Sequence, residues 1–400
     1  MKGRKILISP LNWGFGHVGR MLALAQALKA KGHEVTFGAD RTLMSLVENE
    51  LPGTSVVPLP GVRIRYSRFL PQYLCIFLQL PRIMAASFRE HRVLRQIALS
   101  LEPDIIISDS RFGFFHRNIV SIYITHQVRI AFPGYLHFLE PLGLWLHRMI
   151  IRKFDLCLIP DYPGPENLSG RLSHQPSLPR NVRYMGPLSR FRGTMQAAGD
   201  TSHTDHPSGF LMAEPAVSDT LIPGSPSGLL SELPAHLLPE QPYCCLILSG
   251  PEPQRSLLLE KVAAAVEEMP LVVLTVTPLP TDYAVNPGMT VFTKPDTDTM
   301  MTLIAGSALV ITRAGYTSVM ELASMGKGAV LIPTPGQSEQ EYLGSYLNGH
   351  YGFVTVRQKD IGRSGIVHLE TMSDSNAVLP DSPPLLEEAL NLLLQMEKKR

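Results

Sequence analysis

Short apolar runs alternate with longer amphipathic stretches along most of the chain. Lys5–Ser9, Glu34–Gly38, Ile105–Ser108, Ile119–Ile124 and Leu156–Pro160 are short, and all but Glu34–Gly38 are rich in Ile, Leu and Val. They read as buried strands, and Val18–Lys31 between the first two reads as an amphipathic helix. The same alternation resumes further on. Tyr243–Ser249, Leu271–Val276, Ala308–Thr312 and Ala329–Pro333 read as strands, and Leu257–Glu268, Thr317–Met325 and Glu339–Asn348 as helices. A last helix, Pro384–Lys398, runs into Lys399 and Arg400, and positive charge suits a helix C-terminus. Strand–helix alternation of this kind predicts parallel sheets covered by helices. Gly193–Glu240 breaks the pattern. It is rich in Ser, Pro, Gly, His and Ala and weakly periodic, so it reads as an inserted linker with little order. The expected organisation is α/β, with two doubly wound Rossmann-like domains over residues 1–192 and 241–400, the second including the terminal helix.

Composition agrees with this. The 400 residues exceed one ordinary core, and 44% hydrophobic with 18% charged residues is a globular balance. A formal net charge of +1 argues against a large basic field for nucleic acid. Cys75, Cys157, Cys244 and Cys245 lack C-x-x-C spacing and read as reduced core thiols of a cytoplasmic protein. The apolar run after Lys2, Arg4 and Lys5 soon meets Asn12, Gly14 and Gly16, so a secretory signal is not expected. No uncharged apolar stretch reaches the ~20 residues that a spanning helix requires.

Two loops carry candidate chemistry. After the first strand, Gly14, Gly16 and Gly19 spell G-x-G-x-x-G, and Asp40 follows the second strand. That is the outline of a dinucleotide fingerprint, but Pro10–Trp13 make the loop longer than that motif uses. Alternatively, Gly14 and Gly16 let substrate approach the backbone, while His17 sits at the helix start. The positive end of the helix dipole there favours the neutral imidazole that a general base needs. Asp109 and His126 end later strands and are further candidates for base or acceptor contact.

In the second half, the strand ending at Thr312 enters a turn at Arg313–Gly315 and then a helix whose amides can hold phosphate. Glu321 lies one turn inside and could accept ribose hydroxyls. Gln340 and Glu341 follow the next strand and offer groups that suit sugar hydroxyls. Ser249, Gly250 and Arg255 follow the first strand of this half and could meet a diphosphate. Asp296-Thr297-Asp298 is a D-x-D triplet, read here as a cap for the next helix rather than as metal ligands.

Together these residues resemble glycosyltransferase family 28, the MurG-like group of GT-B fold, over most of the chain except Gly193–Glu240. The specific part is R-A-G-Y-T-S-V-M-E-L-A from Arg313, then V-L-I-P-T-P-G-Q-S-E-Q-E-Y-L from Val330. The family's donor turn and ribose-contacting glutamate fall on Arg313, Gly315 and Glu321. Its sugar-facing Q-Q pair falls on Gln340 and Glu341, with a departure at the second position. The family's G-G-T-G-G-H falls on Asn12–His17, with Trp13 and Phe15 replacing two glycines, and its phosphate loop is loosely matched by Leu248–Arg255.

The resemblance implies a GT-B cleft with acceptor on the N-terminal domain and nucleotide-sugar on the C-terminal one. The implied reaction is inverting transfer from a UDP-sugar, UDP-N-acetylglucosamine, to a hydroxyl of a surface or lipid-linked glycan, with His17 as base and without metal or cofactor. A sugar-nucleotide epimerase or hydrolase of the same architecture is the alternative. Phe69–Leu80 followed by Arg82, Arg89, Arg92 and Arg95, and Tyr135–Ile151 followed by Arg152 and Lys153, pair apolar with basic residues. This is the pattern of a peripheral contact with anionic membrane on its inner face, or else of core helices.

Overall fold

The computed structural model describes residues 3–12, 15–61, 72–191, 239, 241–266, 269–280, 283, 287–362 and 383–398. Apart from Pro239, the predicted linker Gly193–Glu240 lies outside the described residues, as do Trp13 and Gly14.

The N-terminal half is a seven-stranded parallel sheet in the order β3-β2-β1-β4-β5-β6-β7. Its strands are β1 Lys5–Pro10, β2 Glu34–Ala39, β3 Ser55–Pro58, β4 Ile105–Asp109, β5 Val120–Ile124, β6 Leu156–Ile159 and β7 Val182–Tyr184. Helices α1 Phe15–Ala30, α2 Arg41–Glu50, α3 Gln72–Leu101 and α4 Glu140–Ile151 connect them. The C-terminal half is a six-stranded parallel sheet in the order β10-β9-β8-β11-β12-β13. It comprises β8 Cys244–Leu248, β9 Leu271–Thr275, β10 Met289–Thr293, β11 Leu309–Thr312, β12 Ala329–Leu331 and β13 Phe353–Thr355. Its helices are α5 Gln254–Ala265, α6 Thr297–Ala305, α7 Tyr316–Ser324, α8 Ser338–Leu347 and α9 Pro383–Gln395. Two doubly wound Rossmann-like units result, as the alternation predicts.

The central strands are buried on both faces, which is why they read as continuous apolar runs. Strands β3, β7, β10 and β13, which the apolar pattern does not reveal, are the four sheet edges, and each is partly exposed. Helix α1 begins at Phe15, three residues before the predicted start, so His17 lies within its first turn. Asp40 serves as N-cap of α2, accepting from Leu43 N at 3.1 Å, which occupies the acid of the apparent dinucleotide fingerprint. Asp296 likewise caps α6, accepting from Thr299 N at 2.8 Å. All four cysteines are buried thiols outside any disulfide.

The two halves share one apolar core. Leu188 and Phe191, beyond β7, join the same cluster as Met320 of α7 and Met300 of α6. Tyr342 and Tyr346 of α8 reach the N-terminal half, accepting from Arg171 N at 2.7 Å and donating to Asn167 O at 3.2 Å. The terminal helix, which chain order assigns to the C-terminal domain, also reaches back. Glu387 pairs with Lys31, Arg4 Nη1 donates to Met396 O at 2.8 Å, and Lys398 pairs with Asp155.

Helix α4 is fixed by its inner face: Glu140, Gly143, His147 and Ile151 are buried. Tyr123 Oη on β5 lies 3.1 Å from His147 Nε2, and His147 Nδ1 donates to Val128 O at 3.0 Å. Burial pushes its pKa down to about 4, against hydrogen bonds to backbone that favour the charged form. A depressed histidine contributes stability that is present above its unfolded pKa, near 6.5, and is lost as pH falls toward about 4. Urea unfolding should therefore weaken across that window. His147→Gln should cost about 1–3 kcal/mol at pH 8, from the buried donor and acceptor it disturbs, and should flatten the slope. An unchanged slope would assign the acid sensitivity elsewhere.

Candidate active site

In doubly wound sheets a crevice opens where neighbouring strands send their connections in opposite directions, at the carboxyl ends. In the first sheet this point lies between β1 and β4, which pair with Pro10 opposite Asp109. The loop after β1 delivers α1, whose first turn carries His17, and β4 ends in Asp109. Ser110 follows with φ 58°, a left-handed turn. His17 Nδ1 and Asp109 Oδ2 lie 2.9 Å apart; Asp109 is wholly buried, while 19% of the His17 side chain stays exposed. One turn on, buried Arg20 places Nε 3.0 Å from Asp109 Oδ2, with Nη2 in close contact with Oδ1. Burial alone would raise the Asp109 carboxyl; Arg20 and then His17 outweigh it and hold the pKa at about 2. Burial lowers the pKa of His17. Asp109 opposes that shift, and Arg20 and His126 add to it. Asp109 is thus an ionised acceptor beside a neutral imidazole.

The second sheet presents its own crevice between β8 and β11. Ser249 and Gly250 follow β8, exposed, and Gly250 has φ 104° with open space where a Cβ would stand. Gly315 is the N-cap of α7 and is likewise open on its Cβ side. The two crevices face each other. A Cβ on Gly16 would lie 2.6 Å from Thr317 Oγ1 and 2.8 Å from Thr317 Cβ, so only glycine admits this approach of α1 to α7. A Cβ on Gly19 would lie 3.3 Å from Glu321 Oε1. The glycines of the apparent fingerprint that the structure describes, Gly16 and Gly19, therefore seat one half against the other. Across the cleft, His126, just beyond β5, meets Glu339 Oε1 at 2.8 Å and stacks on Tyr316 with ring centroids 4.4 Å apart. Tyr316 in turn donates to Pro160 O at 2.6 Å.

Comparison with known proteins fits this arrangement. Residues 283–378 match the glycosyltransferase family 28 C-terminal domain. An uncharacterized glycosyltransferase of Methanosarcina mazei is 27% identical over 365 residues, 86% of this chain and 84% of the relative. This chain is a glycosyltransferase with a family 28 C-terminal domain. Among solved structures, spinosyn forosaminyltransferase SpnP aligns with a TM-score of 0.58 at 16% identity, covering 98% of this chain and all of that one. MurG of Acinetobacter baumannii aligns at 0.52 and 12% identity, covering 98% of this chain and 100% of that one. Both share the GT-B fold of two facing Rossmann-like domains.

The glycosyltransferase brings some predicted residues to the cleft and turns others inward. His17, Asp109, Gly16 and His126 converge, and Ser249, Gly250 and Gly315 line the opposing edge. Glu321 is buried and bound to Arg190 Nε at 2.9 Å; burial raises its pKa and Arg190 opposes that. Arg255, expected to meet a diphosphate, is instead buried against Glu252, Thr277 O and Pro278 O. Arg313 is buried against Gln358, Ile332 O and Gln254 O. Their guanidinium donors are taken up by loop carbonyls and side chains, so both arginines shape the crevice from beneath. Gln340 and Glu341 each use an oxygen to hold the preceding loop, accepting from Thr334 N and Gly336 N at 2.8 Å. The sequence reading does not single out Arg20, Glu339 or Arg190. Arg20 carried one available signal, an arginine three residues after His17 followed by the apolar run Met21–Ala25. Gly16→Ala should destabilise the protein by about 1–3 kcal/mol through overpacking. Thr317→Gly should relieve much of that cost, giving a non-additive cycle in chemical unfolding. Additive effects would mean that the two positions do not meet.

Proposed function

We propose that this enzyme transfers a sugar, N-acetylglucosamine, from a UDP-sugar to a hydroxyl of a lipid-linked glycan with inversion. The observation that carries this reading is the His17–Asp109 dyad, set at one crevice and facing the N-terminus of α7 in the other. With Nδ1 donating to the ionised Asp109, His17 Nε2 keeps a lone pair to take the proton of an acceptor hydroxyl. The acceptor oxygen then bonds to the anomeric carbon, and the carbon–oxygen bond to the diphosphate breaks, its electron pair leaving with UDP. Backbone amides of the Ser249–Gly250 turn and of the α7 start stabilise the departing charge in place of a metal. Glu321 accepts the ribose hydroxyls, and Gln340 and Glu341 face the donor sugar. The match of residues 283–378 to the family 28 C-terminal domain and the open glycine turns support this assignment of donor to the C-terminal half.

A panel of nucleoside diphosphates and nucleotide-sugars tests the donor directly, because a ligand of the native state raises the melting temperature. UDP and UDP-N-acetylglucosamine should stabilise the protein; stabilisation by another nucleotide alone would overturn the donor assignment. Glu321→Gln should weaken UDP binding by about ten- to a hundredfold, the worth of a charge-assisted hydrogen bond. His17→Ala should lower turnover by about 10²–10⁴ while UDP affinity stays near that of the wild type. Because the pKa of His17 lies below 6.5, the acid limb of turnover should fall below that pH.

The lipid-linked acceptor is supported by two apolar surfaces on the N-terminal half. Phe77, Leu78, Met84 and Phe88 of α3 are exposed, Phe77 by 68% and Phe88 by 69%, beside exposed Arg82, Arg89, Arg92 and Arg95. Around α4, Tyr135, Phe138, Leu142, Trp145, Leu146 and Met149 are exposed, and Arg152 and Lys153 follow. Neither stretch is wholly core, and among the described residues no helix is long and apolar enough to cross a membrane. Apolar insertion beside basic residues suits the surface of an anionic bilayer. The protein should co-sediment with anionic vesicles, less so at high salt, and Phe88→Glu with Trp145→Glu should reduce the bound fraction. Absence of binding to anionic and neutral vesicles alike would favour a soluble acceptor.

A further inference from the structure

Arg20 has no part in the transfer chemistry just described, yet it touches every titratable group around His17. It is wholly buried. Its Nη1 lies 3.1 Å from His126 Nδ1, and its Nη2 lies 2.7 Å from His17 Nδ1. A guanidinium can only donate, so His126 Nδ1 must be the unprotonated nitrogen of that ring. His126 Nε2 then carries the proton and donates it to Glu339 Oε1 at 2.8 Å across the cleft. Tautomer and bridge are fixed together, with no free choice at His126.

At His17 the demands conflict. Nδ1 faces an acceptor, Asp109 Oδ2 at 2.9 Å, and a donor, Arg20 Nη2 at 2.7 Å. With a proton on Nδ1, the ring donates to Asp109, and Nε2 offers its lone pair to the cleft. With the proton on Nε2, Nδ1 accepts from Arg20, and the ring cannot act as a base there. Arg20 and Asp109 thus compete for one nitrogen, and the outcome decides whether the base is ready. The guanidinium is anchored at its other end by His126, and His126 by Glu339 of α8 in the donor half.

We propose that Arg20 is a positioning residue that selects the tautomer of His17, and that the His126–Glu339 bridge ties this selection to closure of the cleft. The groups that face His17 are Arg20 on its own helix, Asp109 of β4, His126 beyond β5 and, through His126, Glu339 of α8. Separation of the two halves breaks the bridge, frees His126 and lets the guanidinium shift against Asp109. Base readiness then follows from assembly of the two halves. Arg20 holds this role through its fork: two donors on one carboxylate and one on each of two imidazoles, which a lysine cannot reproduce.

The inference rests on reading His17 as the base, but its test needs no donor or acceptor. Full-length protein labelled with ¹⁵N-histidine is titrated by long-range ¹H–¹⁵N correlation, and His17 is assigned by its loss in His17→Gln. Arg20→Gln removes the competing donor and the positive charge. The His17 signals should show the Nδ1–H tautomer alone, without the competing Nε2–H fraction that Arg20 supports, and the titration midpoint should rise by about one unit or more, as expected for an imidazole beside an uncompensated carboxylate. Arg20→Lys keeps the charge without the fork and should have a midpoint nearer that of the wild type, but the same loss of the Nε2–H fraction as Arg20→Gln. Glu339→Gln acts at the partly exposed end of the bridge and leaves the buried ion pair in place; it should still displace the His17 resonances. Unchanged His17 tautomer and midpoint in folded Arg20→Gln would overturn the proposal. Should the Arg20 variants not fold, unchanged His17 resonances in Glu339→Gln would do so. Turnover by His17→Ala at the wild-type rate would instead remove His17 as base while leaving the tautomer result intact.

Discussion

Arg20 and Asp109 carry opposite charges out of all contact with solvent. Removing either charge from water costs several kcal/mol, and such a pair persists only when its remaining donors and lone pairs are met by other groups. His17, His126 and Ser110 meet them, so the positions of these side chains follow from the need to satisfy the pair. Because Arg20 sits on α1 and Asp109 at the end of β4, the pair also locks the first helix against the crevice. Everything the N-terminal half offers to the cleft hangs from that lock.

The second constraint is steric. Gly16 and Gly19 present bare backbone to Thr317 and Glu321, so α1 and α7 approach more closely than side chains would allow. This brings the carboxyl end of one sheet to the helix start of the other. Around it, Tyr316 on Pro160, Glu339 on His126 and Glu321 on Arg190 form a ring of polar contacts between the halves. Each contact uses a residue from the C-terminal half and one from the N-terminal half. The cleft is consequently built from both halves, and the same groups that hold it closed surround the chemistry.

Much of the fold could be read from the sequence. Central parallel strands are buried on both faces and become uninterrupted apolar runs, and these appeared at nearly their observed positions. The four edge strands did not, because strands with an open side lose the apolar run that marks them. The placement of the glycine loop, His17 and the strand-ending Asp109 at one crevice was legible, since switch-point loops follow strand ends in any doubly wound sheet. The arginines were misleading: Arg255 and Arg313 sit in the right loops, but position in a loop does not say whether a guanidinium faces solvent or carbonyls.

The sequence by itself determined the strand–helix order and the caps at Asp40 and Asp296, all of which depend on neighbours a few residues away. The tertiary structure alone decided which polar groups meet. Arg20 and Asp109 are 89 residues apart in the chain, and His126 and Glu339 are 213 apart. No local propensity encodes pairings at that separation. They arise when two sheets place their carboxyl edges face to face and each buried charge or ring must find a partner there.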